Sequence, residues 1–342
     1  MKRILIPIAL GAILLLGIYF LAKPAGIEIM PPREEIPARP AEKNQPIKII
    51  LAGDIMLDRG VEYMVETEGN GDFRFPFLKI ADYFQETDIV LGNLEGIISD
   101  KGSKVGSIYS FRAEPEAVEG LISAGLNVLS LANNHALDYG REALEDCLDR
   151  LSKAGIAYAG AGFTEKEAFS PFIKEINGVR IAFLAYTNLG PKTWRATGEN
   201  SGIAWISDND LDTIKQDIKL AKEKSDVLIV SLHSGEEYQK TPSRFQINFS
   251  KMAIEAGADL AVGHHPHVVQ PSERYQNGWI FYSLGNFIFD QGFSEETMES
   301  QIVELLFEDN EIKGIKLRGI RINNFFQPHL EISSVQHETI NQ

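Results

Sequence analysis

Short apolar runs, rich in β-branched residues, recur along the chain, and each closes on a polar cluster. Residues 49–52, led in by Ile47-Lys48, end in Gly53-Asp54, and residues 88–91 end in Gly92-Asn93-Leu94-Glu95. Residues 126–131 end in Asn133-Asn134-His135, and residues 227–232 end in His233-Ser234-Gly235-Glu236-Glu237. Residues 259–262 end in Gly263-His264-His265-Pro266-His267, and residues 279–284 end in Gly285-Asn286. Runs apolar on both faces read as buried central strands.

Between them lie helical stripes. Ala143, Leu144, Cys147, Leu148 and Leu151 form one, and Leu211, Ile214, Ile218 and Ala221 form another. Thr241-Pro242 reads as an N-cap with proline at the first helical position, opening a helix through Phe249 and Met252. Strands alternating with helices predict an α/β fold. Near the end the pattern changes: residues 301–307 and 312–320, joined by Glu308-Asp309-Asn310-Glu311, predict a β-hairpin. Residues 327–342 are polar and read as irregular.

Ligands of α/β sheets bind at the carboxyl ends of the strands. Here those ends carry Asp54, Asn93, Glu95, Asn134, His135, His233, His265 and His267. Singly, each has a bland role: a helix cap for Asp54 or Asp138, a turn former for Asn93 or Asn134, a core histidine for His233. Jointly, carboxylate, amide oxygen and imidazole suit Mn, Fe or Zn better than calcium or a structural zinc, with one or two ions per chain. Two such ions suit hydrolysis. The turn at 263–267 holds three of the seven histidines. Pro266 should stiffen it and hold His265 extended.

The first residues change the picture. Lys2-Arg3 precedes residues 4–22, nineteen positions without a charge, long enough to span a bilayer as a helix. A cleaved signal peptide competes, but no good small-x-small site follows. The expectation is an uncleaved single-pass anchor at the cell membrane, with the main domain extracytoplasmic. Residues 23–46 hold six prolines among charges and read as an extended stalk. The 342-residue chain carries a formal net charge of -15, which argues against broad nucleic-acid contact. Its one cysteine, Cys147, excludes an internal disulfide.

Six blocks together carry a family resemblance. Gly53-Asp54-Ile55-Met56, Gly92-Asn93-Leu94-Glu95-Gly96, the stretch from Ala132-Asn133-Asn134-His135 to Asp138-Tyr139-Gly140, His233-Ser234-Gly235-Glu236-Glu237-Tyr238, His265-Pro266-His267-Val268-Val269-Gln270 and Tyr282-Ser283-Leu284-Gly285-Asn286-Phe287 resemble, in order, the signatures of the bacterial capsule-synthesis CapA proteins. That family is associated with poly-γ-glutamate biosynthesis and resembles calcineurin-like metallophosphoesterases. The match covers residues 47–325, leaving 326–342 as a tail. It implies a two-sheet β-sandwich flanked by helices (α/β/β/α), with the metal site at the strand ends.

The resemblance also implies roles. Asp54 matches the first metal aspartate, while Met56 stands where the phosphoesterases carry a histidine. Asn93 stands at their bridging aspartate, and Glu95 is the nearest carboxylate that could substitute. Asn134 matches the amide ligand, His135 the acid that protonates the leaving group, and Asp138 is placed to orient it. His233, His265 and His267 match ligating imidazoles, and His264 falls outside the pattern as an outer or solvent-facing residue. Arg59, Arg112, Glu237 and Asn286 are the candidate substrate contacts. The expected activity is metal-dependent hydrolysis of a phosphoester or γ-glutamyl amide, on a cell-envelope polymer or its precursor, beside a membrane synthase or export complex. The alternatives are a non-catalytic accessory that binds polymer or synthase, and a secreted nucleotidase stacking a base on Trp194, Trp205 or Tyr238.

Overall fold

The computed structural model describes residues 45–331 apart from Ser107 and Asn310. The expected membrane anchor and nearly all of the stalk lie outside the described residues. Among the described residues no helix is long and apolar enough to cross a membrane.

The first part of the chain runs β1 (Ile47–Ile55), α1 (Arg59–Thr67), α2 (Ala81–Phe84), β2 (Ile89–Leu94), β3 (Ile97–Ile98), β4 (Arg112–Ala113), α3 (Ala117–Ser123), β5 (Val128–Ser130), α4 (Arg141–Lys153) and β6 (Ala157–Ala159). It continues through β7 (Ala161–Gly162), α5 (Glu165–Phe169), β8 (Phe172–Ile176), β9 (Val179–Thr187), β10 (Gly202–Ile203), α6 (Leu211–Glu223), β11 (Val227–His233) and α7 (Arg244–Glu255). The last part has strands and no α-helix among the described residues: β12 (Leu260–His264), β13 (Ser272–Tyr275), β14 (Gly278–Phe281), β15 (Asn286–Ile288), β16 (Glu299–Glu308), β17 (Glu311–Ile322) and β18 (Pro328–Leu330).

Two large sheets result. One has the order β18-β17-β16-β1-β2-β5-β6, with β15 pairing onto the end of β1. The other has the order β13-β14-β12-β11-β9-β8. Successive strand residues face opposite sides, and that alternation sorts the core. Ile49 and Leu51 of β1 pack inward with Phe183, Ile229 and Leu260 of the second sheet. Ile50 and Ala52 point the other way, onto Val61 of α1, Phe84 of α2, Leu121 of α3 and Leu144 of α4. On the far side, Leu184 and Val230 meet Ile218 of α6 and Phe249 of α7. The layers therefore run helix, sheet, sheet, helix, the sandwich expected from the resemblance. Each fully buried Leu, Ile or Phe contributes about 1.5–3 kcal/mol.

Four details differ from the sequence reading. β9 is a nine-residue central strand, buried from Ile181 onward, that the apolar-run pattern had not singled out. The helix expected at Thr241-Pro242 starts later: Ser243 is the N-cap, in a reciprocal capping box with Gln246. Proline therefore sits before the cap rather than inside the helix. Residues expected to be irregular at the end instead form β18, which pairs with β17 from Ile320↔Leu330 to Ile322↔Pro328. The fourth difference is the backbone of His265, described with the site.

Candidate metal centre

Strand register places the first side chains. Asp54 of β1 lies opposite Asn93 of β2 and also opposite Asn286 of β15. In the second sheet His233 of β11 lies opposite His264 of β12. Two glycines permit the backbones to close in. A Cβ on Gly53 would lie 2.0 Å from the Gly285 carbonyl oxygen, and one on Gly263 would lie 1.9 Å from that of Tyr282. Only glycine fits such approaches.

The turn after β12 then bends back on the site. His265 and His267 have φ of 98° and 59°, the left-handed region that costs non-glycine residues energy and clusters at functional sites. His265 is therefore not the extended residue expected before Pro266. Its N–H donates to Asp54 Oδ2 at 3.1 Å, and the Tyr238 N–H donates to the Pro266 carbonyl at 2.8 Å. These tertiary bonds hold a backbone that proline alone would disfavour.

Around Asp54 the contacts are dense. Asn93 Nδ2 donates to Asp54 Oδ1 at 2.8 Å and lies 3.2 Å from His233 Nδ1. The other His233 nitrogen, Nε2, is 2.7 Å from Asn134 Oδ1. His267 Nδ1 lies 3.0 Å from Asn286 Oδ1, which leaves its Nε2 facing Glu95 Oε1 at 3.6 Å. His264 is buried, with Nδ1 3.3 Å from Asp54 Oδ1 though without hydrogen-bond geometry. It is an outer residue of the site, and the solvent-facing option is excluded.

Beside this cluster stands a second pair. His135 Nδ1 lies 2.7 Å from Asp138 Oδ2, and its Nε2 is 3.8 Å from Glu95 Oε1. Asp138 Oδ2 also accepts the Phe111 N–H at 2.9 Å, and the Phe111 ring packs on the imidazole at 4.1 Å between centroids. The expected orienting role of Asp138 has its geometry here.

The electrostatics follow from burial and neighbours. Burial pushes the Asp54 carboxyl up, but His264 and His267 beside it bring it well below the usual carboxylate range. Burial holds Glu95 well above that range, against the pull of His267. Burial and the neighbouring His265 keep His233 neutral, and burial with His267 lowers His265 to about 3. Burial opposes charge on His267 too, but Glu95 and Asp54 raise it to about 9.

Do these residues fit a metal? Both Glu95 carboxylate oxygens and His265 Nδ1 are buried with no hydrogen-bond partner among the described residues. An unsatisfied buried carboxylate is costly. Asp54, Glu95 and His233 converge as one ligand group, and Glu95, His265 and His267 as another, with ligand atoms within 4.8 Å of one another in each. Oxygen and imidazole donors with unused lone pairs, sealed from solvent, fit a divalent transition metal.

Other expected contacts land elsewhere. Asn93 turns its amide nitrogen to Asp54 and its oxygen to Asn133 Nδ2 at 3.2 Å, so it presents no ligand atom. Asn286 is fully buried, donating to Gln291 Oε1 and the Thr297 carbonyl, and steers His267 rather than facing a substrate. The Arg59 guanidinium is bound to Asp290 and lies on the Phe111 ring. Arg112 donates to the Lys101 carbonyl and lies over Tyr139. Glu237, by contrast, stays at the rim of the site: it is exposed on the loop after β11, yet near enough to help raise both Glu95 and His267. The sequence reading missed Asn133, whose Nδ2 donates to the Leu94 carbonyl and whose Oδ1 accepts the His135 N–H. Its place before Asn134-His135 was the available signal.

The order of these residues along the chain is matched by one family. The profile of the bacterial capsule synthesis protein PGA_cap covers residues 48–291. The chain belongs to this family. Among PGA_cap relatives, the capsule biosynthesis protein CapA of Bacillus anthracis is 36% identical over 276 residues, covering 78% of this chain and 66% of that one. This chain thus spans just under two thirds of that relative. The PGA biosynthesis protein CapA of Bacillus subtilis is 32% identical over 293 residues, covering 85% and 75%. The solved structure of a phosphatase from Mycoplasma pneumoniae overlaps 81% of this chain and 94% of its own at 15% identity, with a TM-score of 0.47. That likeness is too remote to carry function.

Proposed function

We propose that this PGA_cap protein acts in the synthesis or export of a polyglutamate-type envelope polymer, as a metal-dependent hydrolase of phosphoester or γ-glutamyl amide bonds. The observation that carries the hydrolase reading is the convergence of buried donors with unsatisfied atoms, Glu95 above all, beside the His135–Asp138 pair. The polymer follows from the similarity to a capsule biosynthesis protein and a PGA biosynthesis protein.

Asp54, Glu95, His233, His265 and His267 would hold one or two divalent ions, Mn, Fe or Zn. Such an ion supplies Lewis acidity, polarising the scissile group and lowering the pKa of water. Asn134 fixes the His233 ring through Nε2, and Asn286 fixes His267 through Nδ1. A partner on one ring nitrogen sets which nitrogen faces the metal. His135, with Nδ1 held by Asp138, has Nε2 free to give a proton to the leaving group. Ser234 and the histidines of the turn are themselves buried beside the site.

The test is hydrolysis of a generic phosphodiester and of γ-glutamyl oligomers by metal-loaded protein. Turnover that disappears on chelation and in His265→Ala supports the reading. A loaded protein that turns over neither substrate sinks it, and leaves a polymer- or synthase-binding accessory. The uncharged run at 4–22 supports membrane anchoring with the domain outside the cytoplasm. Protease added to intact cells should then degrade the domain; full protection would reject that placement.

A further inference from the structure

Two loops form the rim of the centre beside His267. The loop after β11 carries Glu237 and Tyr238, and the loop after β15 carries Phe293. The Tyr238 ring stands 6.0 Å from the His267 ring and meets Phe293 edge to face at 5.2 Å. Tyr238 is held at both ends: its N–H donates to the Pro266 carbonyl at 2.8 Å, and its hydroxyl accepts from Gln291 Nε2 at 3.2 Å. Yet both residues are open to solvent, 41% for Tyr238 and 66% for Phe293. Single exposed apolar side chains are ordinary, but two rings in contact at the mouth of a site make a fixed platform for a ligand.

The charge around this platform is mostly of one sign. Residues 234–242 and 289–298 carry Glu236, Glu237, Asp290, Glu295 and Glu296 against the one cation Lys240. Lys240 lies 3.2 Å from Glu296, and Asp290 engages the Arg59 guanidinium. On the loop before Phe111, Lys101 lies 3.3 Å from Asp100, and Lys104 lies over Tyr139. Glu237 adjoins the rings: burial first, and then its charge, push the Tyr238 hydroxyl up to about 12. The face of an aromatic ring attracts a cation, and a carboxylate beside it accepts the hydrogen bonds of an ammonium group. Such a rim draws in a positive group and repels a polyanion gripped along its length.

We propose that Glu237, Tyr238 and Phe293 form a subsite for an ammonium group of the substrate. This rests on the hydrolase reading above and adds to it the class of substrate: a molecule with a positively charged nitrogen a short arm from the scissile bond. The free amino terminus of a γ-glutamyl chain meets that description, as does an aminoethyl phosphodiester. In both, the nitrogen stands the same number of bonds from the atom attacked. On a γ-glutamyl polymer the cut then falls at the amino-terminal end and not within the chain.

The test uses chelator-stripped full-length protein reloaded with Mn(II) and two matched pairs of probes. One pair is a γ-glutamyl oligomer with its amino terminus free or acetylated. The other is a p-nitrophenyl phosphodiester with an aminoethyl or an ethyl arm. Turnover gives the ratio of kcat/KM within each pair, and titration calorimetry gives the ratio of affinities. Wild-type protein is expected to prefer the amine about 10-fold in one pair, and that pair identifies the bond. Glu237→Gln and Phe293→Ala should each lower the preference to about 2-fold. A ratio taken within one protein cancels any loss of metal or folded protein, so a merely structural role leaves it unmoved. Equal handling of amine and neutral partner in both pairs overturns the subsite and leaves the hydrolase reading standing. A preference that Glu237→Gln leaves unchanged overturns the subsite as well. Selective binding of the amine without turnover supports the subsite and sinks the hydrolase reading. Binding of neither pair overturns both.

Discussion

His264 shows how far a single residue's part depends on its surroundings. By its place in the chain it is one more histidine of a polar turn; in the fold it is buried 3.3 Å from Asp54 Oδ1. Outer partners of metal ligands commonly change affinity 10–100-fold when lost. His264→Ala is therefore expected to weaken Mn(II) binding about 10-fold, read by titration calorimetry, with the stoichiometry kept. An unchanged affinity would return His264 to the role of bystander that its sequence position implies. Asp138→Asn addresses the other pair. It keeps the side-chain shape but cannot hold the imidazole as a carboxylate does, so kcat should fall about 100-fold with metal content unchanged. Loss of metal in that variant would mean Asp138 supports the centre and not the proton donor. The candidate ligands are legible because strand ends concentrate them. The roles of Asn93, Asn286 and Arg59 were not. The direction of an amide, or the partner of a guanidinium, is set by residues far away, as Asp290 is for Arg59.

At the scale of elements, the hairpin of β16 and β17 could be read from alternation, and α4 and α6 from their stripes. β9 is hard to single out by runs that end in ligating residues, because it ends in Thr187, whose hydroxyl donates to the His233 carbonyl and accepts the Leu189 N–H. The start of α7 lies two residues beyond the expected one because proline at N1 and proline before the cap look alike; Ser243 with Gln246 three residues on is the better signal. Ser243→Ala should cost about 1 kcal/mol in a denaturant titration. No change in the midpoint would mean that the buried Gln246 holds the helix start unaided. Helix α1 carries a pH signature. Burial, with the charge of Asp58 one turn away, raises Glu62 from 4.5 to about 7. A carboxyl raised in the folded state stabilises it below pH 4.5, and this contribution is lost as pH rises toward 7. Glu62→Gln is neutral throughout, so it should melt above the parent at about pH 8 and with it at about pH 4. Parallel melting curves at both pH values would contradict the shift.

For the whole molecule, the α/β class followed from strand and helix alternation, but the split into two sheets did not. Both sheets supply fully apolar runs, and only the family resemblance separated them. Since the candidate ligands come from both sheets, metal bound to the folded state should stabilise the entire sandwich. At 100 times the dissociation constant the gain is about 2.7 kcal/mol for one site. Adding Mn(II) to stripped protein should raise Tm by a few degrees, and chelator should reverse it. A Tm indifferent to metal would mean that the site does not load in the folded protein.

The pairing of β1 with β16, from Ile47↔Phe307 to Leu51↔Val303, has a consequence for how the protein is made. A ribosome delivers β1 first and β16 some 250 residues later. Through that interval β1 can find β2, but its other flank stays an open apolar edge, ready to recruit a neighbouring nascent chain. Chains truncated before Glu299 should therefore aggregate even though they contain every candidate ligand of the centre. The order of arrival makes the final hairpin the step that closes the fold.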